Sequence, residues 1–165
     1  MQSSSVGDVI EVETENGFTY LQVINLHASY PELIRHFEGV YSDSSSELDC
    51  IVARQSQMIG MAPVADMIKQ GLIIGRKIGS AEVPAEYRAF PTFQMPVYDR
   101  EGNVVYSWFW DGESIWYESE AKNDMESQKY LKREVISAKM LLERIAEENY
   151  LATRVGGTFL PRESF

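Results

Sequence analysis

The sequence predicts an α+β fold: a curled antiparallel sheet or small SH3-like barrel plus a meander, covered by one long C-terminal amphipathic helix. Three observations lead there. The stretch Met95–Glu118, MPVYDREGNVVYSWFWDGESIWYE, is densely aromatic and carries Gly102 and Gly112 where hairpins need a residue that accepts positive φ. The first strands alternate apolar and polar residues around Asn16-Gly17, the strongest two-residue hairpin signal. Near the C-terminus Leu131, Val135, Ala138, Leu142 and Ile145 recur at spacings of 4, 3, 4 and 3, the period of one helical stripe.

Length sets the scale. A chain of 165 residues, 44% of them apolar, can bury one self-sufficient core and is short for two, so residues 1–165 are expected to form a single domain. No run of eighteen apolar residues occurs, and MQSSSVGD has neither a basic nor an apolar leader segment. A cytoplasmic protein that leaves membranes alone is expected. Cys50 is the sole cysteine, which excludes an internal disulfide and suits a reducing compartment.

Taken in order, Gly7–Val12 alternates as a partly exposed strand, with Val9, Glu11 and Glu13 on one face and Ile10 and Val12 on the other. Phe18–Leu26 returns with apolar residues on both faces, which suits a strand enclosed between two layers. His27–Pro31 reads as a connection, and Leu33–Tyr41 as a third strand with a bulge at Gly39. A polar loop spans 41–47, and Cys50–Ala53 is a short strand candidate. A helix of two turns is expected within 61–70, started by Pro63 and stopped by Gly71, then a strand over Leu72–Ile78. Residues 84–96 are irregular because Pro84, Pro91 and Pro96 each remove an amide donor. The meander follows, so residues 1–120 are mainly β. The long helix occupies about Met125–Ala152 within 123–152, begins at an N-cap near Asn123 and ends near Gly156-Gly157. Residues 158–165 make a patternless tail.

Charge is unevenly spread. The net charge is −10, and residues 1–49 hold nine acids against Arg35 alone, whereas residues 121–165 hold seven acids and eight bases. Nucleic acid is therefore excluded as a partner, since its phosphates reward clustered Lys and Arg. The acidic excess favours a basic partner, or serves nothing more than solubility.

Catalytic signatures are missing. His27 and His36 fall on different predicted elements, there is no zinc-binding spacing, and Asp99–Asn103 has its glycine at the wrong position for a calcium loop. Gly71, Gly75 and Gly79 match neither the dinucleotide fingerprint nor the phosphate loop, and no Gly-x-Ser-x-Gly elbow occurs. No catalytic residue, metal or cofactor is expected.

Gly7-Asp8-Val9-Ile10-Glu11-Val12, the turn ending at Gly17 and the strand Phe18–Val23 resemble the opening of the immunity protein 26 family of bacterial polymorphic toxin systems. Arg35–Tyr41 is similar to that family's third strand, and Lys77–Ala81, Val83-Pro84 and Phe90–Phe93 are similar to its central segment. The resemblance implies a cytosolic protein that binds and blocks a cognate toxin without catalysis or cofactor. Many nucleic-acid-attacking toxin domains are basic, so carboxylates would meet that face. The expected binding residues are Glu11, Glu13, Glu15, Asp43, Glu47 and Asp49, with any exposed member of Trp108, Trp110 and Trp116 as aromatic anchor. Two alternatives stand beside it: a dimeric interaction module or accessory subunit pairing through the sheet or through the long helix at Leu142 and Ile145, and a ligand-binding protein or enzyme with a pocket between sheet and helix, lined by Tyr106, Trp108, His36 and a carboxylate.

Overall fold

The computed structural model describes residues 3–44, 47–118 and 130–147. Among these the chain is mostly β, with nine strands in two open sheets and four short helices. Among the described residues the longest helix is Ala138–Ala146. The expected α+β architecture is thereby overturned: among the described residues no long C-terminal helix covers a sheet, and no barrel closes.

The first sheet contains β1 (Asp8–Thr14), β2 (Gly17–His27), β3 (Tyr30–Phe37), β4 (Ser56–Met61) and β5 (Gly75–Ser80), in the antiparallel order β4-β3-β2-β1-β5. The β1–β2 turn departs from the Asn-Gly expectation. Thr14 pairs with Gly17, Gly17 adopts a φ of +133°, and among the described residues none other than glycine takes a positive φ. The glycine thus closes the turn as its last residue. A Cβ at Gly17 would stand 2.2 Å from the Tyr41 carbonyl oxygen, so only glycine fits beside the pair of hydrogen bonds between Phe18 and Tyr41.

Both faces of this sheet are covered. Ile10, Val12, Leu21, Val23, Ile34 and Met58 pack under α2 (Val64–Lys69) and the C-terminal helix, while Val9, Tyr20 and Phe37 pack under α1 (Leu48–Val52) through Ile51. The covering residues come close where the sheet carries glycine. A Cβ at Gly60 would lie 2.5 Å from Ile136 Cδ1, and one at Gly79 would lie 2.5 Å from Leu48 Cδ1. Cys50, read as part of a strand, lies in α1 with its thiol free and exposed.

After the short α3 (Ala85–Arg88), the second sheet is built from β6 (Phe93–Tyr98), β7 (Val104–Trp110) and β8 (Ile115–Glu118), an antiparallel meander whose turns place Gly102 and Gly112 at φ of +86° and +94°. A two-residue strand, β9 (Leu131–Lys132), joins it parallel to β6. Phe93, Trp110 and Leu131 of this sheet meet Ile24, Leu33 and Met61 of the first. That cluster joins the two sheets.

Residues 130–137 explain the failed helix. Leu131 pairs with Phe93, Val135 bridges to Met61, and the Ile136 amide donates to the Met61 carbonyl at 2.8 Å, so this segment runs from one sheet to the other. Strand pairing and burial of Ile136 outweigh a helical period that Val135, half exposed, does not use. The helix α4 (Ala138–Ala146) starts only at Ser137, whose Oγ accepts from the Met140 amide at 3.2 Å. Its Leu141 and Ile145 enter the core, which removes the continuous Leu131–Ile145 stripe proposed for helix pairing. The rest of the expected helix, over 125–129 and 148–152, and the tail over 158–165 lie outside the described residues.

Candidate functional site

Where α2 ends, Gly71 takes φ of +70° and the Leu72 amide donates to the Met67 carbonyl at 2.9 Å, so the chain doubles back along the β1–β2 hairpin. The Glu13 amide then donates to the Ile74 carbonyl at 2.9 Å. Through this bend Ile73 enters the core, while Leu72 and Ile74 are left 56% and 68% exposed. Together with Val40 from the loop after β3 and Leu142 of α4 they line a groove of about 630 Å³. Its polar rim holds Glu13 and Glu15 at the hairpin tip and Glu143 on α4.

The rim is electrostatically one-sided. Among the described residues neither Glu13 nor Glu15 makes an ion pair, and Glu143 has a loose partner in Lys139, 3.7 Å away on the same helix. An exposed pair of that kind contributes little and leaves the carboxylate available. A groove lined by both apolar side chains and uncompensated carboxylates can accept a ligand that is both greasy and cationic.

The remaining expected residues are dispersed. Glu11 is buried. Its carboxylate accepts from Tyr20 Oη at 3.0 Å, Ser44 Oγ at 2.5 Å and Arg76 Nε at 3.1 Å. Burial raises its pKa, but these three hydrogen bonds and the Arg76 charge outweigh burial and hold it below the usual carboxylate value. It ties β1 to β5 and to the loop at Ser44. Asp43 is exposed in that loop, and Glu47 and Asp49 are exposed at the start of α1, on the layer opposite α2 and α4. The structure therefore brings Glu13 and Glu15 together and places the α1 acids on another layer. Trp110 is buried between the sheets, whereas Trp108 and Trp116 are each 37% exposed on the second sheet. There Trp108 and Tyr117, with ring centroids 5.3 Å apart, line a shallow recess of about 300 Å³ with Tyr106 and Val105.

The histidines serve the fold. Thr19 Oγ1 donates its only hydrogen to the Gly39 carbonyl at 3.0 Å, so His36 Nε2, 2.6 Å away, carries the proton and donates to Thr19 Oγ1. Burial pushes the His36 pKa down to about 4, leaving the ring neutral near pH 7. The Ser29 amide donates to His27 Nδ1 at 3.1 Å, which leaves Nε2 to donate to the Gly112 carbonyl at 2.6 Å and so fasten the β7–β8 turn to the first sheet. His36 belongs to the first sheet and Tyr106 and Trp108 to the second, so these residues do not form the pocket considered for a ligand or enzyme. Among the described residues no group of His, Cys, Asp and Glu could hold a metal ion, and no helix is long and apolar enough to cross a membrane.

Sequence reasoning found the acids of the groove but missed its floor. Leu72, Ile74 and Val40 carry no signal of exposure, and the expected strand over Leu72–Ile78 starts only at Gly75. Gly71, which turns the chain, was the usable clue. No family model, no curated protein and no solved structure matches the chain.

Proposed function

We propose that this chain is a non-catalytic binding protein that takes a basic, apolar-faced segment of another protein into the groove between the β1–β2 tip, residues 71–74 and α4. The observation that carries this reading is the exposure of Leu72 and Ile74 in a groove that Glu13 and Glu15 also line. An exposed apolar patch with a polar rim is a feature of interaction surfaces. A rim of one sign speeds encounter with an opposite charge and disfavours acidic competitors, and the net charge of −10 adds a long-range field of the same sense. The likeness of the first hairpin to the immunity protein 26 family gives the partner a class, a basic toxin domain blocked by occupancy. A neighbouring reading frame for a large multi-domain secreted protein is the genomic context expected of that role.

A fluorescein-labelled amphipathic peptide built of lysine and leucine serves as the probe. Glu13→Lys combined with Glu15→Lys is expected to weaken its binding about tenfold or more at low salt, with the difference shrinking as salt screens the charges. Leu72→Ser with Ile74→Ser is expected to weaken it at every salt concentration. Affinity and salt dependence that both match the parent protein in the two variants would overturn the groove as the binding site.

A further inference from the structure

The meander carries an aromatic recess that the groove does not use. Tyr106 and Trp108 lie two residues apart on one face of β7, and Tyr117 pairs with Trp108 from β8, so strand register alone gathers three exposed rings. The Tyr117 ring makes 59° with Trp108 at a centroid distance of 5.3 Å and 75° with Tyr106 at 6.4 Å. Rings at such steep angles stand as walls around the recess of about 300 Å³ and do not form a flat platform. The same strand face already holds a cation at its covered end, where the Arg133 guanidinium lies 4.7 Å from the Trp110 ring centroid. At the open end, among the described residues, no cation lies over Tyr106, Trp108 or Tyr117. The sheet that carries the recess is also negatively charged: residues 93–118 hold Asp99, Glu101, Asp111, Glu113 and Glu118 against Arg100 alone.

We infer that this recess binds a small quaternary ammonium ion of the choline type, its methyl groups against Tyr106, Trp108 and Tyr117. The face of an aromatic ring is the negative pole of its quadrupole and attracts a cation, and the surrounding carboxylates add a field of the same sense. Which cation follows from the lining. Val105 and the three aromatic residues line the recess, and no carboxylate does. A lysine ammonium entering it would shed water with no carboxylate to receive its N–H groups, whereas a trimethylammonium group has no N–H to satisfy. A volume of about 300 Å³ stands at the lower end of small-molecule sites, which suits a free ion of few heavy atoms better than a peptide segment. The recess belongs to the second sheet and the groove to the first, so this site stands whatever the groove binds.

The test titrates choline chloride into the full chain at constant ionic strength and follows the Trp108 indole N–H by NMR. A saturable shift is expected, with a Kd on the order of 1–10 mM, as three ring faces allow. Dimethylbutanol, the uncharged carbon isostere of choline, should bind about tenfold more weakly, because it keeps the shape and loses the charge. Tyr117→Leu keeps apolar bulk on the edge strand β8 but removes one ring face, and should weaken choline binding about fivefold. No saturable shift in the millimolar range, equal affinity for choline and its uncharged isostere, or a Tyr117→Leu protein that binds choline as the parent does would each overturn the site. The comparison of the two probes uses the unaltered protein, so it decides even if the variant misfolds. Phosphatidylcholine vesicles supply the last arm. Retention on them at headgroup concentrations where free choline gives no shift would overturn the free ion as ligand and make a lipid surface the occupant.

Discussion

Acidification from neutral pH to about 4 is expected to remove roughly 3 kcal/mol of folding stability through His36 alone. The sign follows from which state takes the proton. His36 is buried on β3 and its pKa is lowered from 6.5 to about 4, with burial as the cause. Above pH 6.5 the ring is neutral in both states and its contribution is fully present. As the pH falls from 6.5, the unfolded chain binds a proton that the folded one refuses, so stability declines until about 4 and then levels off. Glu11 also loses its contribution on acidification, because its folded pKa is lowered, but only as the pH falls past its ordinary value of 4.5. The interval between 6.5 and 4.5 therefore isolates the histidine. Urea midpoints across it should fall steeply for the parent protein and stay nearly level for His36→Gln, which lacks a titratable ring. Equal slopes would mean that the imidazole is hydrated.

Phe93→Ala is expected to cost about 3–5 kcal/mol, the range for a fully buried aromatic removed from a core. Phe93 sits 1% exposed in the cluster that joins the two sheets and stacks on Trp110 with centroids 5.6 Å apart. Its loss leaves a cavity between layers that β6 and the 130–136 segment hold at fixed spacing, so collapse is restricted. In a chain of this size each kcal/mol moves the melting temperature about 2–4 °C, giving a fall of roughly 6–20 °C. Trp108→Ala, two residues before Trp110 on the same strand face, should cost clearly less, because that ring is 37% exposed and lies outside the cluster between the sheets. Comparable losses in the two variants would show that the exposed recess on the second sheet is closed in solution.

That contrast shows where sequence reasoning stops. Alternation places Tyr106, Trp108 and Trp110 on one face of β7, yet only Trp110 meets the first sheet. Parity identifies a face but says nothing about how far along the strand that face is covered. The turns of the meander were readable because positive φ at Gly102 and Gly112 is a local requirement. The C-terminal helix was misread because Leu131 and Ile145 serve the interior from a strand and from a helix in turn, and their spacing imitates one continuous stripe. Pro31 stands inside β3 although its missing amide signals a break, and β4 carries little sequence signal because SQMIGM has little alternation and includes Gly60. For the groove, the carboxylates of Glu13 and Glu15 were legible as charge. The floor was not, because the exposure of Leu72 and Ile74 depends on a hydrogen bond to β1, a tertiary fact.

The close approach of Ile136 to Gly60 and of Leu48 to Gly79 implies a rule for how this chain can diverge. Alanine at 60 would overlap a δ-methyl, and overpacking of that kind costs about 1–3 kcal/mol. Valine at 136 has no δ-methyl, and neither has valine at 48. Natural variants should therefore exchange bulk across each pair, gaining a carbon on the strand only where one disappears from the overlying residue.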